Sequence, residues 1–228
     1  MRSYTLHHIS ISLFAGALAM LALVHPASAA SDQEQLVSKA EATLKHFQND
    51  PQMTWIRTHL KDAKAVMIAP EVRRAGFVLG GSGGRAVLIG RDPSGKWSGP
   101  AFYTLASASV GFQAGVDKSE VVMLVMTDKG LTNLLNTQMK LGGDASISAG
   151  PVGKGAEKDF TTDIVSFSHA KGLYGGVNLD GTLVKVNQEW NDKYFGQAAS
   201  PVDILVRHSV HSSKGDRLVQ QVSQAARK

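Results

Sequence analysis

Leu36, Ala40, Leu44 and Phe47 recur at spacings of four, four and three residues, so one apolar stripe runs along a helix. Asp32 is placed to cap it, and Asn49-Asp50-Pro51 ends it. A second short helix is predicted from Met53 to Leu60. The face opposite the stripe alternates Glu34, Lys39, Glu41 and Lys45, so its charges nearly cancel.

From Ala65 the texture changes to short apolar runs separated by glycine. They are Ala65 to Ala69, Ala75 to Gly80, Ala86 to Gly90, Ala101 to Val110 and Val121 to Thr127. Ile164 to Ser168, Leu173 to Leu179 and Thr182 to Val186 complete the set, and all read as strands. Asp92-Pro93-Ser94-Gly95 marks a turn, and Asp180-Gly181, between two strand-like runs, predicts a hairpin. Asp128 to Gln138 reads as a helix with Leu131, Leu134 and Leu135 on one side. Ser200-Pro201 marks another helix start, with serine as cap and proline at the first position. A polar helix from Asp216 to Ala226 closes the chain, and its polarity predicts a loosely held tail. Together these elements predict an α+β fold: an antiparallel, strongly curved glycine-rich sheet or barrel, with helices at both ends and one central helix. Glycine inside strands permits the bulges and coiling that such curvature needs.

Ahead of all this, Ile9 to Val24 is apolar apart from Ser10 and Ser12, and His25-Pro26-Ala27-Ser28-Ala29-Ala30 follows. The pattern is that of a signal peptide cleaved near Ala29 or Ala30. The apolar run is shorter than the roughly 20 residues of a membrane-spanning helix, so an uncleaved anchor is the rival reading. The expected organisation is therefore a signal peptide over 1–30, a helical segment over 31–60, a β-rich core over 61–196 and a helical tail over 197–228. Periplasmic or secreted localisation follows from it.

Composition removes several classes of function. The chain has no cysteine, which excludes disulfides, thiol nucleophiles, cysteine-based metal sites and a lipoprotein anchor. Its formal charge of +5 is modest and no run of like charge stands out, so a nucleic-acid partner is not expected.

The catalytic motifs fail on context. Gly80-Gly81-Ser82-Gly83-Gly84 matches a serine-hydrolase elbow, but an elbow leads into a helix, and the strand-like Ala86 to Gly90 follows instead. The dinucleotide pattern Gly81-x-Gly83-x-x-Ala86 fails for the same reason. Gly150 to Gly155 lacks the Gly-Lys-Ser/Thr ending of a phosphate loop. His208 and His211 stand at a metal-ligand spacing without a third ligand. Glu157, Asp159 and Asp163, interleaved with lysines, read as a solvated loop. No enzyme, cofactor or metal is expected.

Cations beside glycine-rich turns are the remaining chemistry. Arg73 and Arg74 are read as preceding a strand and Arg85 as following a Gly-Gly turn, with Arg91, Lys96, Lys154 and Lys171 at other strand ends. Turn amides and a nearby cation suit an anion, although strand-end cations also serve solubility. Arg73, Arg74, Arg85, Lys154 and Lys171 are the head-group candidates.

Several separated stretches are familiar. They are Ala63 to Ile68, Ala75 to Gly84, Trp97-Ser98-Gly99-Pro100, Gly111 to Gly115, Ala149 to Lys154, Ser166 to Gly181 and Pro201 to Leu205. In order and spacing the chain from about Lys61 to Phe195 resembles the SYLF domain. The resemblance implies a non-enzymatic protein that binds phospholipid or a membrane surface, since eukaryotic members bind phosphoinositides and some engage actin assembly. The bacterial relatives look like exported envelope proteins. Here Glu34 and Glu41 offset the lysines of the first helix, unlike the one-signed basic face that grips anionic lipid. Export would separate the chain from actin, which is therefore not expected as a partner. An envelope protein partner is the alternative to lipid, with apolar contacts expected at the first helix or near Phe102 and Tyr103.

Overall fold

Four long strands joined by three antiparallel pairings organise the molecule. The computed structural model describes residues 30–76, 79–110, 115–153, 161–170, 172–177 and 179–227. The head-group candidates Lys154 and Lys171 and the signal-peptide segment lie outside the described residues. Ser31 to Lys228 forms one compact unit.

Helix α1 (Asp32–Asn49) is capped by Ser31, not Asp32: the Ser31 hydroxyl accepts from the backbone N–H of Glu34. Of the apolar stripe, Ala40, Leu44 and Phe47 are almost wholly enclosed, but Leu36 is only half-buried and its neighbour Val37 takes the fourth buried position. Burying a leucine or phenylalanine to that extent stabilises by about 1.5–3 kcal/mol. Helix α2 (Thr54–His59) runs into a single 3₁₀ turn (Leu60–Asp62). Strands β1 (Ala65–Gly76), β2 (Leu79–Arg91), β3 (Trp97–Val110) and β4 (Gly115–Val125) follow. After helix α3 (Asp128–Leu135) come β5 (Gln138–Lys140), β6 (Ile147–Ala149), β7 (Ile164–Ala170), β8 (Leu173–Gly176) and β9 (Leu183–Val186). Helices α4 (Gln188–Phe195), α5 (Pro201–Leu205) and α6 (Asp216–Ala225) close the chain.

The sheet runs β5-β9-β3-β2-β1-β4-β7-β6, with β8 paired to β7, and curls into a half-barrel. The expected α+β class holds, but the sheet is mixed: β6 pairs with β7 in parallel. Parallel pairing follows from a connection between them long enough to cross over. The Asp180-Gly181 hairpin is also corrected. A turn does form there, closed by the Thr182 N–H on the Leu179 carbonyl with Gly181 at φ +81°. Its flanking strands separate, however: β8 pairs with β7, and β9 pairs with β3 and β5.

Pro70 explains the curvature of β1. Ladder positions on both neighbours skip past it, from Ile68 to Glu71 against β2 and from Ala69 to Val72 against β4. Proline cannot donate to a ladder, so a bulge is where a central strand accommodates it. Opposite the bulge a Cβ on Gly84 would stand 2.6 Å from the Glu71 carbonyl oxygen, so only glycine fits. The segment 80–84 is thus strand, paired on both sides with β1 and β3, and Gly83-Gly84 is not the turn expected before Arg85.

One sheet face buries Met67, Leu88, Tyr103 and Met123 against Leu134 of α3 and Ile204 and Leu205 of α5. The opposite face buries Val66, Ile68, Val87, Phe102 and Leu124 under α1, α2 and α6. Phe102 and Tyr103 are 0% and 1% exposed, so they offer no surface to a partner. Helix α6 is not loosely held either, because Leu218 and Val222 are fully buried; two apolar residues one turn apart suffice to anchor an otherwise polar helix. The α5 start matches its reading, with Pro201 inside a capping box formed by Ser200 and Asp203. At Gly150 a Cβ would lie 2.1 Å from the Phe167 ring. Gly150→Ala is expected to cost about 1–3 kcal/mol by overpacking, read as a lower denaturant midpoint with unchanged slope.

Candidate functional site

Pro70, at the bulge of β1, lines an opening between the sheet and the helical layer. There a cleft of about 630 Å³ opens between the N-terminal half of α1, the exposed face of β1–β3 and the start of α4. Lys39 comes from α1, Glu71 and Arg73 from β1, Arg85 from β2, and Trp190 from α4.

Side chains alternate between faces along a strand, and this divides the sequence candidates. Arg73 and Arg85 both line the cleft. Arg74 follows the parity of the buried Val72 and lies on the opposite face, in register with Ser82 of β2. All three arginines sit well inside long strands and not at strand ends. The Ser82 hydroxyl bonds the Ser107 hydroxyl at 2.6 Å across that same opposite face, within unbroken β2 where no elbow exists.

The cleft cations differ in what they already hold. Arg73 Nε donates to Glu71 Oε1, and Lys118 Nζ stands 3.5 Å from the same oxygen. The Arg73 hydrogen bond is the main reason why the Glu71 carboxyl lies below its ordinary range. Arg85 instead lays its guanidinium over the Trp190 ring, 4.3 Å from the centroid. Among the described residues neither Arg85 nor Lys39 has a carboxylate partner. A stacked guanidinium keeps its donor edge free and pre-oriented for an anion. Lys39 and Trp190 were missed by sequence reasoning because each comes from a helix far from the glycine-rich strands. Among the described residues no group of three His, Asp or Glu side chains is placed to hold a metal.

The histidines assort differently from their spacing. His208 Nε2 lies 3.0 Å from Asp92, and His211 lies 3.5 Å from Asp216. His46 and His169, which look scattered along the chain, converge on Glu120 of β4. His169 Nδ1 is 2.9 Å from Oε2, His46 Nδ1 is 3.4 Å from Oε1, and the Thr43 hydroxyl donates to Oε1 at 2.6 Å. This network ties α1 to the sheet and so fixes one wall of the cleft. Asp163, read as part of a solvated loop, is instead 7% exposed and bonded to Thr127 and Ser146.

The fold is thus a helix-covered half-barrel whose surface cleft gathers three cations and two carboxylates. The chain belongs to the Ysc84 family, the SYLF-domain proteins: residues 106–225 match the family described as "Las17-binding protein actin regulator". It is 31% identical over 153 residues to Protein YSC84 of Saccharomyces cerevisiae, covering 64% of this chain and 32% of that protein. To LAS seventeen-binding protein 3 of the same species it is 30% identical over 153 residues, covering 64% of this chain and 33% of the relative. SH3 domain-containing YSC84-like protein 1 of Homo sapiens is 26% identical over 200 residues, covering 83% of this chain and 58% of the relative. The chain thus spans about a third of the yeast relatives and somewhat over half of the human one.

These matches correct the expectation that set actin aside. The family carries actin regulation in its description, and relatives are named for binding Las17 or for an SH3 domain. The expectation rested on the N-terminal segment, which says nothing about the surface of the folded domain that the relatives share.

Proposed function

We propose that this chain is a non-enzymatic lipid-binding protein of the bacterial envelope, holding an anionic phospholipid head group in the cleft between α1 and β1–β3. The observation that carries this reading is Arg85, stacked on Trp190 and facing an open cleft shared with Lys39. Head-group phosphate would take the donor edge of Arg85, with Lys39 adding charge from the helical wall. Arg73, already engaged by Glu71, contributes less. Both sheet faces are packed with side chains, Met67, Leu88, Tyr103 and Met123 on one and Val66, Ile68, Val87 and Phe102 on the other, which favours docking at the surface. Envelope location rests on the pattern of Ile9 to Ala30, and the N-terminal residue of the protein purified from its native cell tests it: Ala30 or Ser31 is expected, and Met1 would contradict export.

The names of the relatives favour a second reading, a module whose partner is a protein of the actin-regulating machinery or its counterpart. Cosedimentation with phosphatidylglycerol and phosphatidylcholine vesicles separates the two. The lipid reading predicts binding to the anionic vesicles alone, weakening as salt rises. Equal failure on both vesicle types would leave the protein-partner reading.

A further inference from the structure

A second groove, of about 480 Å³, lies at the far end of β2 from the cleft, between the β2–β3 turn and one face of α6. Lys96 and Trp97 line it from the turn, and Gln220, Ser223, Gln224 and Arg227 from the helix side. We infer that this groove binds an acidic peptide segment of a protein partner. The inference does not rest on lipid binding at the first cleft.

Charge is the first argument. Among the described residues neither Lys96 nor Arg227 has a carboxylate partner. The turn's own acid, Asp92, does not neutralise them. It accepts from the Ser94 hydroxyl at 2.6 Å and the Lys96 N–H at 2.9 Å, and His208 Nε2 lies 3.0 Å away. Arg91 adds positive charge beside the groove, with its guanidinium 5.8 Å from the Trp97 ring. The lining contains two cations and no acid, whereas the first cleft mixes Asp32 and Glu71 among its cations.

Shape and chemistry favour a peptide over a bilayer. Docking on a membrane surface draws on apolar side chains that reach outward; Trp97 is only 7% exposed and is turned into the fold. Gln220 and Gln224 stand one helical turn apart on the same face, and each side-chain amide can donate to a peptide carbonyl and accept from a peptide N–H. The Asp92 hydrogen bonds hold the turn rigid, so the groove is formed before the ligand arrives.

Fluorescence anisotropy of a labelled octaglutamate peptide with the full chain tests the assignment. Binding is expected, weakening with salt, and Lys96→Glu with Arg227→Glu should raise Kd by about tenfold or more. Both residues are exposed, so the fold should survive; Lys96→Gln with Arg227→Gln supplies a milder pair, expected to weaken binding in the same direction. Lys39→Glu with Arg85→Glu should leave peptide affinity within roughly twofold, as distant sites act independently. The assignment is overturned if the unaltered chain does not bind the peptide, or if the Lys96 and Arg227 variants bind it equally well. Inorganic phosphate competing as strongly as unlabelled peptide would show a simple anion site instead. Reversal that weakens phosphatidylglycerol-vesicle binding but not peptide binding would assign the groove to a head group and likewise overturn the proposal.

Discussion

Asp163→Ala is expected to destabilise the fold by about 2–3 kcal/mol, the largest effect of any single polar substitution considered. The carboxylate accepts from the Thr127 hydroxyl at 2.6 Å, and from the Ser146 N–H and hydroxyl at 2.9 Å each. Lys129 stands 3.5 Å away. It therefore joins the N-cap of α3 to the approach to β6 while sitting at the start of β7. Truncation strands these partly buried donors, at about 1–3 kcal/mol for each left unsatisfied. A chain of this length should lose roughly 5–10 °C in Tm. Burial pushes the Asp163 carboxyl up, but the hydrogen bonds from Thr127 and Ser146 and the charge of Lys129 outweigh it and hold it down at about 2. A depressed folded-state value means that the contribution is present above the ordinary value of 3.8 and fades as pH falls toward about 2. Thermal melts at pH 7 and pH 2.5 check this. The gap between parent and variant should shrink in acid, and a gap independent of pH would contradict the account.

Glu120→Ala is expected to loosen α1 without unfolding the sheet. Amides from Thr43 to Phe47 should exchange about tenfold faster, which corresponds to about 1.4 kcal/mol of local stability. Partial burial pushes the Glu120 carboxyl up, yet hydrogen bonds from Thr43, His169 and His46 together bring it below the ordinary value of 4.5. Its contribution is thus present above that value and is lost as pH falls through the lower folded value. Once the carboxyl is neutral it no longer holds its donors from α1 and β7 by charge, and the tether weakens. Exchange in α1 that is unchanged by the substitution, and equal at pH 6 and pH 3.5 after correction for intrinsic rates, would remove Glu120 as the tether.

Local patterns were legible wherever side chains carried a period. The stripe of α1, the serine-proline start of α5 and the central helix were readable from spacing alone. Central helix α3 stops at Leu135 and not Gln138, because Gln138 begins β5 and pairs with β9. Gly83-Gly84 reads as a turn because a strand without side chains shows no alternation, yet both residues lie within β2. Pairings between distant segments had no local signal: nothing near Asp180 says that β9 returns to β3, or that β6 lies parallel to β7.

The candidate site was half legible. Arg73 and Arg85 do line the cleft, but adjacency in sequence makes Arg73 and Arg74 look like a pair when strand geometry sends them to opposite faces. Lys39 and Trp190 complete the cleft from two helices, and Glu120 gathers His46 and His169 from α1 and β7. Such convergence belongs to the tertiary fold and leaves no spacing to read.

The central claim is that Arg85 and Lys39 present one anion-binding cleft. Cosedimentation of the Lys39→Glu, Arg85→Glu double variant with phosphatidylglycerol vesicles at low salt tests it most directly, with Arg74→Glu as the control on the opposite sheet face. The account predicts that the double variant loses about tenfold or more in affinity while Arg74→Glu stays within roughly twofold of the parent. Equal losses in both variants would reduce the effect to net charge, and undiminished binding by the double variant would contradict the cleft as the lipid site.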